Sequence, residues 1–162
     1  MIRRPFRPAV LWLVVVLVLG SAYFGPKQTQ VHVIPALHAV APWMSAGGTH
    51  AAHAVLRKLS HLTEYAVLAF LWARAFRSAS RLGLPAALGA ALAVCVACAT
   101  VDEIHQTHAP GRHGSVTDVA LDSLGALAML MVVRTWPQLA DATNTAEGSP
   151  RRLGPVRVDE RA

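Results

Sequence analysis

Ionisable residues concentrate between Val101 and Gly125, beside long apolar runs in a chain where charge is otherwise scarce. The acidic and basic residues of this stretch are Asp102, Glu103, Arg112, Asp118 and Asp122. An ionisable side chain at membrane depth is costly unless it is paired or wetted, and such residues usually mark functional sites. The stretch therefore predicts a functional site built around carboxylates and an arginine.

Proton transfer is one chemistry that these residues could perform. Glu64, Asp102 and Glu103 are the candidate general acids and bases, because carboxylates crowded in a low dielectric cannot all be ionised at once. His61 and Tyr65, on the same helix face as Glu64, are candidates to relay protons or to orient a substrate. These five residues form the predicted catalytic set.

Capture of an anion is the second chemistry. Arg112 can grip a phosphate or a carboxylate with two parallel hydrogen bonds and can stabilise developing negative charge. The N–H groups in the first turn of a helix that opens at Ser115 would favour an anion at the same place. The predicted binding residues are Lys58, Gln106, Arg112, Ser115, Asp118 and Asp122.

Three other interpretations of the cluster stay open. The charges could neutralise one another as a polar core that fixes helix register without a ligand. A zinc or manganese site is a second interpretation, but no HExxH or similar spacing is present, so we expect neither a metal nor a cofactor. Its ligands would be His61, Glu64, Asp102, Glu103 and His105. A transport or proton-relay role has little support, because the four predicted spans contain no repeat.

The composition favours a membrane protein. Apolar residues make up 54% of the chain and charged residues only 15%, against roughly a quarter charged in soluble domains. The formal charge of +6 is not taken as a sign of nucleic-acid binding, because basic residues that flank apolar runs usually fix topology.

The elements that must position the site are four helices in an all-α fold. They are expected at about 9–24, 50–78, 84–104 and 115–133, as a four-span bundle within a domain covering 9–134. The first run is a little shorter than the roughly 20 residues that a span needs. A cleaved signal peptide is its rival interpretation, with Gly20-Ser21-Ala22 as a cleavage site.

The remaining segments are expected outside the bundle. Residues 1–8 form a basic cytoplasmic N-terminus, and 135–162 form a disordered cytoplasmic tail. The connection at 25–48 is interrupted by prolines and glycines, so we expect it along the membrane interface, at most with a short helix.

Local patterns add three structural expectations. Thr49 is a candidate N-cap for the second helix, and Ser115 with Asp118 has the pattern of a capping box for the fourth. Four histidines are expected to be exposed loop residues, because their spacing fits no metal site. They are His32, His38, His50 and His53. Cys95 and Cys98 are expected to be inert packing thiols, because they lie in mid-span.

The distribution of charge predicts the topology. Of the 15 Lys and Arg residues, eleven lie in the N-terminus, the second connection or the region from Arg134 onward, which four spans place on one side. By the positive-inside rule, that side is the cytoplasm, and both termini lie there. The acids of three helices would then meet near the outer surface.

These motifs together resemble the VanZ-like family of bacterial membrane proteins. The likeness covers roughly residues 56–132 and consists of four elements in the family's order: K..H...Y from Lys58, DE..Q from Asp102, PGR..S..D from Pro110, and D..G from Asp122 to Gly125. One departure is Asp122, since the family commonly has an asparagine at that position.

The resemblance implies a multi-pass protein of the bacterial inner membrane that serves the cell envelope. Its namesake confers low-level resistance to teicoplanin. A ligand for the predicted site would accordingly be an anionic envelope component, such as an anionic lipid or a peptidoglycan precursor. The extra negative charge of Asp122 puts in doubt any chemistry that needs a neutral amide there.

Overall fold

The computed structural model describes residues 4–21, 25–79, 82–107 and 115–141, and this part of the chain is all-helical. A 3₁₀ turn at Arg4–Phe6 leads into the first α-helix. The helices are α1 Arg7–Leu19, α2 Pro26–Val40, α3 Ala46–Ala79, α4 Leu84–Thr107, α5 Val116–Thr135 and α6 Gln138–Asp141. The all-α class predicted from the sequence is confirmed.

The connection after α1 is more regular than expected. It contains the 15-residue helix α2, which begins at Pro26 and continues through Pro35. Proline is well tolerated at the first helical position, where its missing N–H would have had no partner. The expectation that prolines would break up this segment was therefore wrong, although a helix there had been allowed for.

The start of α3 also differs from the prediction. The helix begins at Ala46, and Ser45 Oγ accepts a hydrogen bond from the Gly48 N–H at 3.1 Å. Thr49 lies inside the first turn, buried, and donates its hydroxyl to the Ala46 carbonyl at 2.9 Å. Ser45, not Thr49, therefore caps this helix.

Two histidines connect α2 to α3. His53 Nε2 lies 3.1 Å from Thr29 Oγ1, and His50 Nδ1 lies 2.6 Å from Gln30 Nε2. His53 is buried, so its assignment as an exposed loop residue was wrong. Its imidazole helps to hold the connecting helix against the bundle.

Helix α3 is the centre of the packing. Its residues Tyr65, Leu68, Ala69 and Ala73 are fully buried against small residues of the two following helices. Those small residues are Ala91, Cys95 and Ala99 of α4 and Ala126 of α5. Small side chains let helices approach closely, which is the main source of helix association in lipid. Cys95 is a buried free thiol, as a packing role requires.

The side-chain contacts define two ends of the bundle. At one end, Phe6 packs against Trp72 and Phe76, and Arg77 pairs with Asp141 at 2.9 Å. The other end contains the N-terminal half of α3, the last turns of α1 and α4, and the start of α5. Helices α1 and α4 therefore run in one direction, and α3 and α5 run in the other.

Two of the described helices are long and apolar enough to cross a membrane: Leu84–Thr107 and Val116–Thr135. Only 22% and 28% of their most apolar segments are buried inside the protein, so most of that apolar surface faces outward. Helix α1 has 13 residues and also exposes Leu11, Val14 and Val18. These surfaces suit a lipid environment, as expected for a membrane protein.

Gly125 offers a test of the closest helix contact. A Cβ at this position would collide with the Leu62 carbonyl and lie 3.0 Å from the Leu62 Cα, so α3 would have to move. We expect Gly125→Ala to lower the free energy of unfolding by about 1–3 kcal/mol, since overpacked cores lose stability by that amount. Thermal unfolding in detergent would measure the loss.

Gly89→Ala is the matched control, because a Cβ at Gly89 of α4 meets nothing within 4 Å. Alanine has the higher helix propensity, so this variant should be as stable as the native chain or slightly more stable. Equal melting temperatures for Gly125→Ala and the native protein would contradict the close contact.

Candidate functional site

The predicted site residues gather at one end of the bundle. Helix α3 carries Lys58, His61, Glu64 and Tyr65; α4 carries Asp102, Glu103, His105 and Gln106; α5 carries Asp118 and Asp122 and is preceded by Ser115. Arg112 lies outside the described residues. The residues brought together differ in burial, and this difference separates them into two groups.

Glu103 forms the link between α4 and α5. Its buried carboxylate accepts a hydrogen bond from the Ser115 N–H at 2.7 Å. Ser115 is the N-cap residue of α5, but no side-chain cap hydrogen bond is formed, so the predicted capping box with Asp118 was wrong. The expected anion at this helix N-terminus is supplied, at least for this N–H, by Glu103, which also suits the helix dipole.

Asp102, the residue before Glu103 on α4, is also buried but has different partners. It accepts a hydrogen bond from Gln106 Nε2, one helical turn later, at 2.7 Å. Its carboxylate also lies directly against Gly20 at the end of α1, where an added Cβ would come within 2.8 Å of Oδ1. Gln106, predicted to bind a substrate, instead satisfies a neighbouring acid in this structure.

Asp122 pairs α5 with α3. Its carboxylate is 0% exposed, and its Oδ1 lies 3.4 Å from His61 Nδ1. A carboxylate next to one ring nitrogen favours the tautomer with its proton there, so Nε2 is left as the acceptor. The two side chains therefore form a close carboxylate–imidazole pair between α5 and α3.

Tyr65 lies within electrostatic reach of both Asp102 and Asp122. Its side chain is fully buried, and its hydroxyl has no hydrogen-bond partner among the residues that the structure describes. The charges of both Asp102 and Asp122 act on this hydroxyl. The O–H group is thus a donor held beside two carboxylates.

All five acids belong to one electrostatic neighbourhood. Glu64 interacts with the charges of Asp102 and Asp122, and Glu103 interacts with those of Asp102, Asp118 and Asp122. Of the five, Asp102, Glu103 and Asp122 are buried, whereas Glu64 and Asp118 are partly exposed. Neighbouring carboxylates disfavour one another's ionised form, and nearby hydrogen-bond donors and cations offset this effect.

Cations are found on the open side of this neighbourhood. A cavity of about 220 Å³ between α3 and α5 is lined by His53, Ala54, Arg57, Lys58, His61, Asp118 and Leu121. Four of these seven side chains are basic or can become so, and one is acidic. We call this cavity the cation pocket.

A smaller cavity adjoins the cation pocket through two shared residues, Arg57 and His61. It has a volume of about 140 Å³, and its remaining lining residues are Leu19, Thr29, Ser60 and Glu64. Glu64 and His61 therefore have access to space that a ligand could enter. Asp102, Glu103, Tyr65 and Asp122 line neither cavity.

Arg57 and His53 were not among the site residues predicted from the sequence. Both precede the Lys58 motif on α3 and lie one helical turn apart, at the spacing that also brings Arg57 and His61 to one side. Once α3 is known to begin at Ala46, this spacing places all three residues on one helix face. The predicted start near Thr49 left His53 in the frayed first turn.

The arrangement does not favour a metal centre. Among the described residues, no three His, Cys, Asp or Glu side chains are placed to hold one metal ion. His105, a ligand in the metal interpretation, is exposed on α4. The geometry instead offers anion binding in the cation pocket and proton transfer by His61 and Glu64 beside it.

Comparison with known proteins adds the family. The family model described as VanZ/LLP1 matches residues 9–137. No curated protein and no solved structure matches the chain significantly. The match extends from the start of α1 to the residue before α6 and contains every residue of the candidate site. The chain therefore belongs to the VanZ/LLP1 family.

Proposed function

We propose that this protein spans the bacterial inner membrane four times and binds an anionic component of the cell envelope at the outer end of its bundle. The observation that carries the proposal is the cation pocket, in which His53, Arg57, Lys58 and His61 outnumber the single acid Asp118. Binding could extend to processing, because His61 and Glu64 lie next to the bound anion.

Helix lengths support four spans. The 34 residues of α3 measure about 51 Å and the 13 residues of α1 about 20 Å, at 1.5 Å per residue. Because α3 is longer than the roughly 30 Å of hydrocarbon, its N-terminal turns, as far as Arg57 and Lys58, would project beyond the hydrocarbon. Helix α1 is short for a span, but the preceding turn with Phe6 and snorkelling arginines extends its reach.

The topology can be tested with single cysteines in a chain whose Cys95 and Cys98 are replaced by alanine. Thr107→Cys at the end of α4 should react with a membrane-impermeant maleimide in intact cells, because four spans place this residue outside. Gln138→Cys in α6 should react only after the membrane is permeabilised. Labelling of Gln138→Cys in intact cells would contradict cytoplasmic placement of the C-terminal region.

The charges of the cation pocket suit a phosphate or a carboxylate. Arg57 and Lys58 are adjacent in sequence, and His61 is one turn further along the same helix. Arginine grips such groups with two hydrogen bonds, and lysine adds a compact charge. Arg112, which precedes α5, remains a proposed further ligand for the anion.

Proton transfer would use the two side chains that reach the cavities. Asp122 lies beside His61 Nδ1 and favours a proton there, and a neutral His61 protonated at Nδ1 would present Nε2 to a substrate proton. Glu64 is partly exposed and acts electrostatically on His61. The buried Asp102, Glu103 and Tyr65 then act on the reaction only through their charge and packing.

Removal of the two strongest cations tests anion binding. We expect Arg57→Gln/Lys58→Gln to weaken the binding of a lipid phosphate roughly tenfold or more, since each hydrogen bond to a charged group contributes about 1.5–3 kcal/mol, less where exposed. Native mass spectrometry of the detergent-purified protein with phosphatidic acid and a peptidoglycan precursor would measure binding. Lys27→Gln is the control, because Lys27 is an exposed cation on α2 that does not line the cation pocket. Equal adducts in the double variant and the native chain would refute the proposal.

The family likeness connects this site to resistance. We propose that anion binding underlies any low-level protection against teicoplanin-type glycopeptides, so the same double variant should lose protection in a sensitive host. The supporting observation is membership of the VanZ/LLP1 family over residues 9–137.

A non-catalytic polar core is the second candidate function of the acids, and three contacts favour it. Glu103 binds the Ser115 N–H, Asp102 binds Gln106, and Asp122 pairs with His61. The first two contacts are hydrogen bonds from donors within the protein, and the third is a close carboxylate–imidazole pair. In this candidate function the buried acids fix the bundle and need no ligand.

The two roles predict different results for Glu103 and Glu64. Glu103→Ala should lower the free energy of unfolding by about 1–3 kcal/mol, because the part-buried Ser115 N–H loses its acceptor. Glu64→Gln, on a partly exposed side chain, should keep the native melting temperature. Loss of stability in both variants would make Glu64 part of the structural core and remove it from the catalytic candidates.

A further inference from the structure

We infer that the anion of the cation pocket is the head group of a phosphate monoester that carries one long hydrocarbon chain, and that this chain lies in a groove between α1 and α3. The inference rests on the proposed anion-binding function and names its ligand class. Three observations carry it: an open apolar groove, its continuity with the cation pocket, and the order of polarity along α3.

The groove beside α3 is larger than the cation pocket and the smaller cavity. It has a volume of about 440 Å³ and a mostly apolar lining. The lining residues are Trp12, Leu19, Leu56, Leu59, Ser60, Thr63, Glu64 and Val67. Leu59 is 52% exposed and Leu56 is 45% exposed, so the groove opens sideways onto the surface that would face lipid. A chain in the bilayer could enter it laterally.

Shared residues join the groove to the cation pocket. Leu19, Ser60 and Glu64 line both the groove and the smaller cavity. Arg57 and His61 line both the smaller cavity and the cation pocket. The three spaces therefore adjoin in sequence, from apolar to cationic.

The order of residues along α3 matches an amphipathic ligand. Val67 and Thr63 lie on the side of the apolar half of the helix, whereas Arg57 and His53 lie nearer its N-terminus at the outer end. A lipid in the outer leaflet has the same order, with its chain toward the membrane centre and its phosphate toward the surface. The cations thus stand at head-group level above the groove.

The hydrocarbon chain of the ligand contributes mainly by placing the phosphate beside the cations, and only little by direct attraction to the groove. Lipid tails are as apolar as leucine, so moving a chain from the bilayer into the groove gains little from the hydrophobic effect. Confinement to the membrane and to the groove does raise the local concentration of the attached phosphate beside Arg57. A phosphate without a chain has no such advantage.

Three probes separate the contributions of head group and chain: hexadecyl phosphate, hexadecanol and inorganic phosphate. Binding is measured with the full chain in phosphatidylcholine nanodiscs. We expect hexadecyl phosphate to bind at least about tenfold more tightly than either of the other probes, a difference set by the cooperation of both parts. The Arg57→Gln/Lys58→Gln variant should lose most of this affinity.

Tryptophan substitutions test the groove itself. Thr63→Trp fills the groove at an exposed position, so it should weaken hexadecyl phosphate binding by about tenfold and leave inorganic phosphate binding unchanged. Leu59→Trp should give the same result at a second exposed position. Val101→Trp is the control, on an exposed face of α4 that the groove does not include.

The outcomes distinguish this inference from the proposed function. The hydrocarbon chain of the ligand does not lie in the groove if inorganic phosphate binds as tightly as hexadecyl phosphate. The same follows if both groove variants bind hexadecyl phosphate as the native protein does. In either case the proposed anion binding stands. If no phosphate probe binds the native protein, the proposed function fails and the inference fails with it.

Discussion

The structure depends on the requirement that carboxylates removed from water must meet donors inside the protein. An unpaired buried charge costs several kcal/mol, so each buried acid specifies where a partner has to be. Glu103 requires the start of α5 at its side, and Asp122 requires His61 of α3. Asp102 requires Gln106 and the close approach of α1 at Gly20. These contacts bring α1, α3, α4 and α5 together at one end of the bundle.

The same requirement explains why acids and cations occupy different layers. The contacts of the buried acids are with the Ser115 N–H, the Gln106 amide and the His61 imidazole. Arg57 and Lys58 line the cation pocket, on the open side of the bundle. The negative layer beneath favours their position through longer-range attraction. The buried acids and the cations proposed to bind a ligand therefore lie at different depths in the protein.

Much of the fold was accessible from the sequence, because apolar period and breaking residues report on local structure. Helices α4 and α5 began within one residue of their predicted starts, at Leu84 and Val116. The predictions were wrong where contacts between helices, and not the local sequence, determine the structure. Helix α2 persists through Pro35 while its residues bond to His50 and His53 of α3, and no local pattern contains that information. The gathering of acids was expected from charge and topology, whereas their individual partners depend on register between helices.

Asp122 shows how a departure from the family pattern can keep a contact and change its chemistry. An asparagine oxygen could lie beside His61 Nδ1 as the carboxylate does, so the close approach of the two side chains does not require the charge. A carboxylate, however, has no donor of its own and leaves a second oxygen to be satisfied at a position that is 0% exposed. Its added negative charge also acts on His61, opposite in sign to the effect of Arg57. In this chain, therefore, the balance of charge that a bound anion meets is set partly by a residue that the anion cannot touch.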